Sequence, residues 1–258
     1  FTPCGAYSER TAGWEAPSPA DGELLCRRLQ GADLFQLRTQ SRVLPVAAIR
    51  EAMDGKLDEY RRRMAQEAPR SEVRRLKEET KEELLPKALL RSERNRGCYI
   101  HSESLLAVDA GTDAKADWFI DQLRTCFGAY TCVPLSSHEE PSALLTRNVL
   151  GETPSGFSLG RECRLQDPTD SKSIATWRGF ELSDSTSRRH VADGMNLPHL
   201  GVNFEETLTC VISQDGVISK FKFLEDEEVD TPDYEDPAAR LDAEFVLLAG
   251  YVSRMVTV

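Results

Sequence analysis

The stretch from Arg42 to Arg91 restricts the possible folds more than any other part of the chain. It reads RVLPVAAIREAMDGKLDEYRRRMAQEAPRSEVRRLKEETKEELLPKALLR. Pro45 opens a helical pattern with Ile49, Met53 and Leu57 each four apart, followed by Tyr60 and Met64. Residues at that spacing share one helix face, so the pattern describes a narrow apolar stripe on a charged rod. The helix is expected to stop at Ala68-Pro69, because proline disfavours helical geometry in the residue before it. Ser71 is the expected cap of a second helix, with Val73, Leu76 and Leu84 as its sparse apolar points and Pro86 at its end. Between Arg50 and Leu84 ten residues are basic and ten are acidic, so most of this surface must face water. Two such helices back to back read as a projecting arm, and arms of this kind build interfaces, not active sites.

A chain of 258 residues buries a good core and has room for more than one domain. No apolar run reaches the length needed to cross a bilayer, and nothing at Phe1 suggests a secretion leader. The seven cysteines are odd in number, scattered, and include no CxxC pair. That argues against a disulfide framework or a zinc site and for a reducing cytoplasm. A net charge of −11 argues against indiscriminate coating of nucleic acid but leaves room for a locally basic channel, since phosphate contacts respond to local potential.

Along the chain, residues 1–20 are rich in Pro, Gly and Ser and read as loop, with Trp14 as anchor. Glu23–Leu29 and Asp33–Arg38 read as a hairpin turning at Gln30-Gly31. After the arm come strands over Cys98–Ala110 and a helix capped at Thr112 or Asp113, carrying Trp118, Phe119, Leu123 and Phe127 and ending at Gly128. A strand at TCVPL (Thr131–Leu135) would complete a β-β-α-β unit, and the polar segment Ser136–Ser158 favours no single structure. Strands follow over Gly156–Leu165 and Ser173–Leu182 around Asp167-Pro168, then a short helix from Ser183-Asp184 through Arg188, Arg189 and His190. HLGVNF, LTCVIS and VISKFKF form a meander turning at Gln214-Asp215-Gly216. The acidic run Glu225–Glu235 reads as a solvated loop, and Pro237 starts a last helix with Leu241, Phe245 and Leu248 on one face.

Six stretches in register carry a resemblance: FTPCG (1–5) with Gly13-Trp14, RVLP (42–45), KEELLPKALLR (81–91), HVADG (190–194), DGVISKFKF (215–223) and RLDAEFVLLAG (240–250). Together they resemble the bacterial recombination-associated RdgC family along the whole chain, trimmed at both ends. The resemblance implies an α+β fold of antiparallel β-sheet subdomains with a projecting charged helical hairpin, assembling as a ring-shaped homodimer through which duplex DNA passes. It implies nonspecific DNA binding, association with the nucleoid in the cytoplasm, restraint of RecA-driven strand exchange with RecA as a further partner, and no enzymatic activity, membrane or cofactor. The arm would meet its partner's arm, with Leu85 and Leu89 as the self-complementary apolar contact; relatives often carry Phe at position 89. The chain also departs from its relatives. Where they follow HVADG with Lys and a polar residue, it has Met195 and Asn196. Where they carry a basic pair, it has Arg178-Gly179, and a further basic position is His199. Each lost phosphate contact should shallow the salt dependence by about one unit of log–log slope.

The expected DNA contacts are Arg74, Arg75, Arg178, Arg188, Arg189, Asn196, His199, Lys220 and Lys222. The competing reading for Arg61-Arg62-Arg63 and Arg74-Arg75 is a solvated helix face with pairs such as Glu59-Arg63. For Arg178, Arg188, Arg189, Lys220 and Lys222 it is scattered surface charge. His190, Asp193 and His199 fit no common metal spacing. His138-Glu139-Glu140 sits in a polar loop without a nucleophile. Gly151, Gly156 and Gly160 make no phosphate cradle. Trp118, Phe119 and Phe127 have helical spacing and read as core rather than as a base-stacking platform, while Trp177 fits burial on the sheet or an approach to DNA.

The expected division is a loop and hairpin over 1–41, the arm over 42–91, a β-β-α-β subdomain over 92–165 and a meander with C-terminal helix over 166–258. The leading function is a nonenzymatic, DNA-encircling dimer that grips the backbone without reading bases. The alternative is a protein–protein module acting on a recombination or replication partner. A hydrolase or nuclease lacks a convincing acidic cluster.

Overall fold

The computed structural model describes residues 1–128, 131–135, 139–182, 185–224 and 236–257. His138, Ser183-Asp184 and the run Glu225–Glu235 lie outside the described residues. Contacts divide the chain into two compact units, Phe1–Thr131 with Tyr234–Ser253 and Cys132–Asp233 with Arg254–Val258. Each contains a five-stranded antiparallel sheet, and six α-helices are present among the described residues, so the chain is α+β.

The first sheet is organised by two long strands, β3 (Ala32–Val43) and β4 (Leu89–Ile100), paired over their full length. Along the other edge of β3 run β2 (Cys26–Leu29) and then β1 (Arg10–Glu15), and β5 (Leu105–Val108) pairs with the end of β4. The hairpin turns at Gln30-Gly31 with φ of 46° and 83°, the left-handed pair that a two-residue turn between twisted strands requires. β1 corrects the expectation of loop over residues 1–20. Its Gly13 reads as a turn residue but is a strand position over which the N-terminus packs, and a Cβ there would lie 2.8 Å from the Phe1 Cα.

Alternation along β3 builds two cores. Ala32 and Leu34, with Cys98 and Ile100, pack against Phe245 and Ala249 of α6 (Pro237–Thr257), joined by Leu241 and Val252. Leu248 of that helix is half-buried. Leu37 on the other face meets Phe119 and Leu123 of α3 (Asp113–Phe127), with Trp14, Phe35 and Trp118 around them. Trp14 stands edge-on to Phe119 at 5.1 Å, so it is the anchor its position suggested. Phe127 is not core as expected but 65% exposed, because the helix ends there at Gly128.

Between β3 and β4 the chain forms α1 (Val46–Met64) and α2 (Arg70–Leu84), which pack on each other. Ile49 is buried and Met53, Leu57 and Tyr60 are half-buried, which is the stripe read from the spacing. The boundaries differ from expectation. α1 already stops at Met64, with Ala65 in a left-handed conformation (φ 51°). Pro69, not Ser71, precedes α2, since proline's fixed φ suits a helix start and needs no donor. Arg42 ties the base of this pair: its Nη1 donates to the carbonyls of Leu85 (3.1 Å), Pro86 (3.2 Å) and Ala88 (3.2 Å), and its Nε to Gly5 O (3.1 Å).

The second sheet has the order β10-β9-β8-β6-β7, with β6 (Phe157–Gln166), β7 (Ile174–Arg178), β8 (Asn196–Phe204), β9 (Leu208–Ser213) and β10 (Ile218–Phe223). Cys163, Leu165, Leu200, Val202, Phe204, Leu208 and Cys210 are buried and fall on one face by register. α4 (Pro141–Leu150) packs against β8 and β9, with Leu145 and Val149 buried, and α5 (Ser185–Ala192) packs on α4. The expected strand at Thr131–Leu135 has no regular structure: Pro134 offers no ladder donor, and Val133 and Leu135 remain exposed.

Candidate nucleic-acid interface

The face of the second sheet opposite its core is polar. In RECRL the buried Cys163 and Leu165 alternate with Glu162 and Arg164, and the ladder carries that alternation across the sheet. Glu162 stands opposite Arg178, Arg164 stands between Thr176 and His199, and Gln166 stands opposite Asn196. His199 faces Ser213, and Lys222 faces Thr209.

Two irregularities curl this face. β6 carries extra residues against β8 between Leu159 and Cys163, where Gly160 and Gly201 allow backbone to touch backbone. A Cβ on Gly201 would lie 2.9 Å from Glu162 O, and one on Gly160 would lie 2.8 Å from Gly201 C. Bulges of this kind bend a strand and tighten its twist. On β10 the register shifts between Ser219 and Lys222, and Lys220 takes a left-handed conformation (φ 55°). In a flat sheet β10 and β6, three strands apart, would be separated by about 14 Å. Here Lys220 Nζ reaches Glu162 Oε1 directly, over the top of β9 and β8.

Glu162 therefore holds two cations, Lys220 and Arg178, the latter through Nε at 3.4 Å. The hydrogen bond from Lys220 pulls its carboxyl below the ordinary glutamate range, against the opposing effect of burial. Lys222 is exposed beside them. Arg164 and His199, facing each other across β6 and β8, each leave a buried nitrogen (Nε and Nδ1) without a partner.

The structure thus brings Arg178, His199, Asn196, Lys220 and Lys222 onto one strand set. Arg188 and Arg189 of the same unit are not on that strand set, and Arg74 and Arg75 belong to the other unit. Arg188 and Arg189 lie on α5, whose His190 packs edge-on against Trp177 at 5.5 Å, and Trp177 shares the face of Cys163. Arg189 pairs with Asp193 at 3.8 Å. On α2, Arg75 is held by Glu72 (2.5 Å) and Glu79 (2.9 Å), the solvated-helix arrangement, whereas Arg74 makes no ion pair with the described residues. Of the two expected interface leucines, Leu85 is buried within the chain and Leu89 is 79% exposed. Glu162 and Arg164 were missed by sequence reasoning. The alternation in RECRL was the available signal, but only the ladder register says which strands face them.

The molecule is thus an α+β protein whose candidate site is a curled, polar and locally basic sheet face. Among the described residues no group of three or more His, Cys, Asp or Glu side chains is placed to hold a metal ion, and no helix is long and apolar enough to cross a membrane. The chain belongs to the RdgC family: the family model described as "Putative exonuclease, RdgC" matches residues 1–258. Three relatives are each named recombination-associated protein RdgC. The one from Tolumonas auensis is 30% identical, over 99% of this chain and 86% of its own length. The one from Halorhodospira halophila is 31% identical, over 96% and 83%. The one from Stenotrophomonas maltophilia is 27% identical, over 98% and 85%.

The stretches that carried the resemblance have structural work in this chain. Gly13 seats Phe1, Arg42 ties the base of the helix pair, and Phe245 and Ala249 pack α6 on the first sheet. HVADG ends α5 and turns into β8, with Gly194 N donating to Val191 O at 3.0 Å.

Proposed function

We propose that this chain binds double-stranded DNA through its backbone, without reading sequence, and that it acts in recombination as its relatives' names indicate. One observation carries the reading. In a chain of net charge −11, the strands of the second sheet carry Arg164, Arg178, Lys220 and Lys222, two of which, Arg178 and Lys220, hold the carboxylate of Glu162. A curved basic surface suits a phosphate backbone, which is gripped by charge and shape. Asn196 and His199 supply further polar contacts. We take the assembly to be a homodimer closing a ring around the duplex, with α1 and α2 as a projecting arm and Leu89 as an apolar contact beside it. In that form the protein sits on the nucleoid and limits the access of RecA, without cleaving DNA.

The test is binding to linear and covalently closed duplex over a salt series, with mass measured in the same buffer. The expected outcome is a dimer whose affinity falls linearly with salt on a log–log plot and which leaves linear DNA through its ends. A dimer that ignores duplex at low salt would favour the protein–protein reading. Release of nucleotides in the presence of divalent metal would favour a nuclease.

A further inference from the structure

Glu162 stands where a DNA-binding face should least tolerate a negative charge. Its Oε1 receives both Lys220 Nζ and Arg178 Nε, the second at 3.4 Å. Both cations are reachable from solvent, with side chains 54% and 73% exposed, while the carboxylate beneath them is 26% exposed. Exposed pairs contribute little to stability, so fold stability does not explain a carboxylate held by two such cations. Nor is the arrangement a local accident of sequence. It joins side chains from strands three apart, beside the Gly160–Gly201 approach on one strand pair and the bulge at Lys220 on the other.

We infer that Glu162 occupies the place of a phosphate in the unbound protein and sets the strength of the grip on DNA. The inference rests on the DNA-backbone reading above. Without DNA, the carboxylate keeps the Lys220 ammonium and the Arg178 guanidinium aimed into the curl. When duplex binds, phosphate oxygens take both cations and the carboxylate is left uncompensated beside the backbone. Every binding event therefore exchanges one oxyanion for another, which lowers affinity and lets bound protein move along the duplex instead of locking to it. The carboxyl is ionised at neutral pH, since its hydrogen bond from Lys220 holds its pKa below the ordinary range.

The experiment measures affinity of the full chain for a fluorescein-labelled linear duplex across a KCl series, for wild type, Glu162→Gln, Lys220→Gln and the double variant, with thermal unfolding of each. E162Q is expected to tighten binding by about threefold to tenfold at low salt and to steepen the log–log salt slope by about 0.9. K220Q is expected to cost more affinity in the E162Q background than in wild type, because only there is Lys220 wholly free for DNA. Should E162Q fail to fold, Glu162→Asp withdraws the charge by one methylene and is expected to shift affinity in the same direction by less. Wild type that binds duplex, with E162Q equal or weaker at unchanged slope, overturns the inference and leaves the DNA reading standing. Absence of binding in wild type and E162Q alike overturns the DNA reading itself.

Discussion

Each of the two sheets holds a carboxylate between two cations, and the contrast between them separates framework from site. In the first sheet Glu15 receives Arg94 Nε and lies 3.7 Å from Arg38 Nη1. In the second, Glu162 receives Lys220 and Arg178. The carboxylates are similarly covered, 21% and 26% exposed, and Arg94 is as open as Lys220, at 53% and 54%. The two clusters therefore differ in their second cation, Arg38 at 29% against Arg178 at 73%. Arg38 lies over the Phe1 ring at 4.4 Å, and its cluster extends through Gln36, which donates to Glu15 at 3.1 Å and accepts from Arg96 at 3.1 Å. Those groups are occupied with one another and fasten the N-terminal segment to β3. The second cluster ends at its two cations, which face water. The same charges therefore secure the fold where further partners such as Phe1, Gln36 and Arg96 join them, and remain exchangeable where the cluster ends at its cations.

The sharpest break in this contrast comes from two glycines. Gly97→Ala would bring a Cβ within 2.4 Å of the Phe119 ring, which is fully buried. A loss of about 1–3 kcal/mol is expected, read by urea unfolding, with the DNA salt slope unchanged. Gly201→Ala meets backbone at Glu162 and is expected to lose a similar amount, but also to loosen the Lys220–Glu162 contact and alter the slope.

A smaller effect is expected from Glu15→Gln, which should lower stability by about 1–2 kcal/mol and leave DNA affinity in place. E162Q is expected to do the reverse, so an E15Q variant that changed DNA affinity and not stability would dissolve the distinction. The smallest effect is on pH dependence. Hydrogen bonds from Arg28 to Asp33 and from Arg27 to Asp242 hold both carboxyls below their ordinary value. The stability they add is present above about pH 4 and is lost as pH falls through their lower folded values. Acid titration of Asp242→Asn should therefore show a shallower loss below about pH 4 than wild type.

Local patterns were legible wherever a side chain's role depends on near neighbours. The four-residue spacing of Ile49, Met53 and Leu57, the turn at Gln30-Gly31, the helix end at Gly128 and the meander turning at Gly216 all follow from backbone preference and periodicity. β1 was illegible because its Gly13 is explained only by Phe1 lying over it, and Thr131–Leu135 misled because apolar alternation does not show whether a partner strand exists. The site divided in the same way. Composition and resemblance pointed to Arg178, His199, Lys220 and Lys222, but no spacing in the chain relates Glu162 to Lys220, which lie far apart in sequence and three strands apart in the sheet.

Sequence by itself thus determined the α+β class, the charged helix pair and the basic residues available, since those depend on which residue stands where along one chain. The tertiary structure decided which cations are covered, which face Arg188 and Arg189 accompany, and that a carboxylate lies between Lys220 and Arg178. These depend on strand register and on two bulges, where a shift of one residue exchanges the faces of a strand.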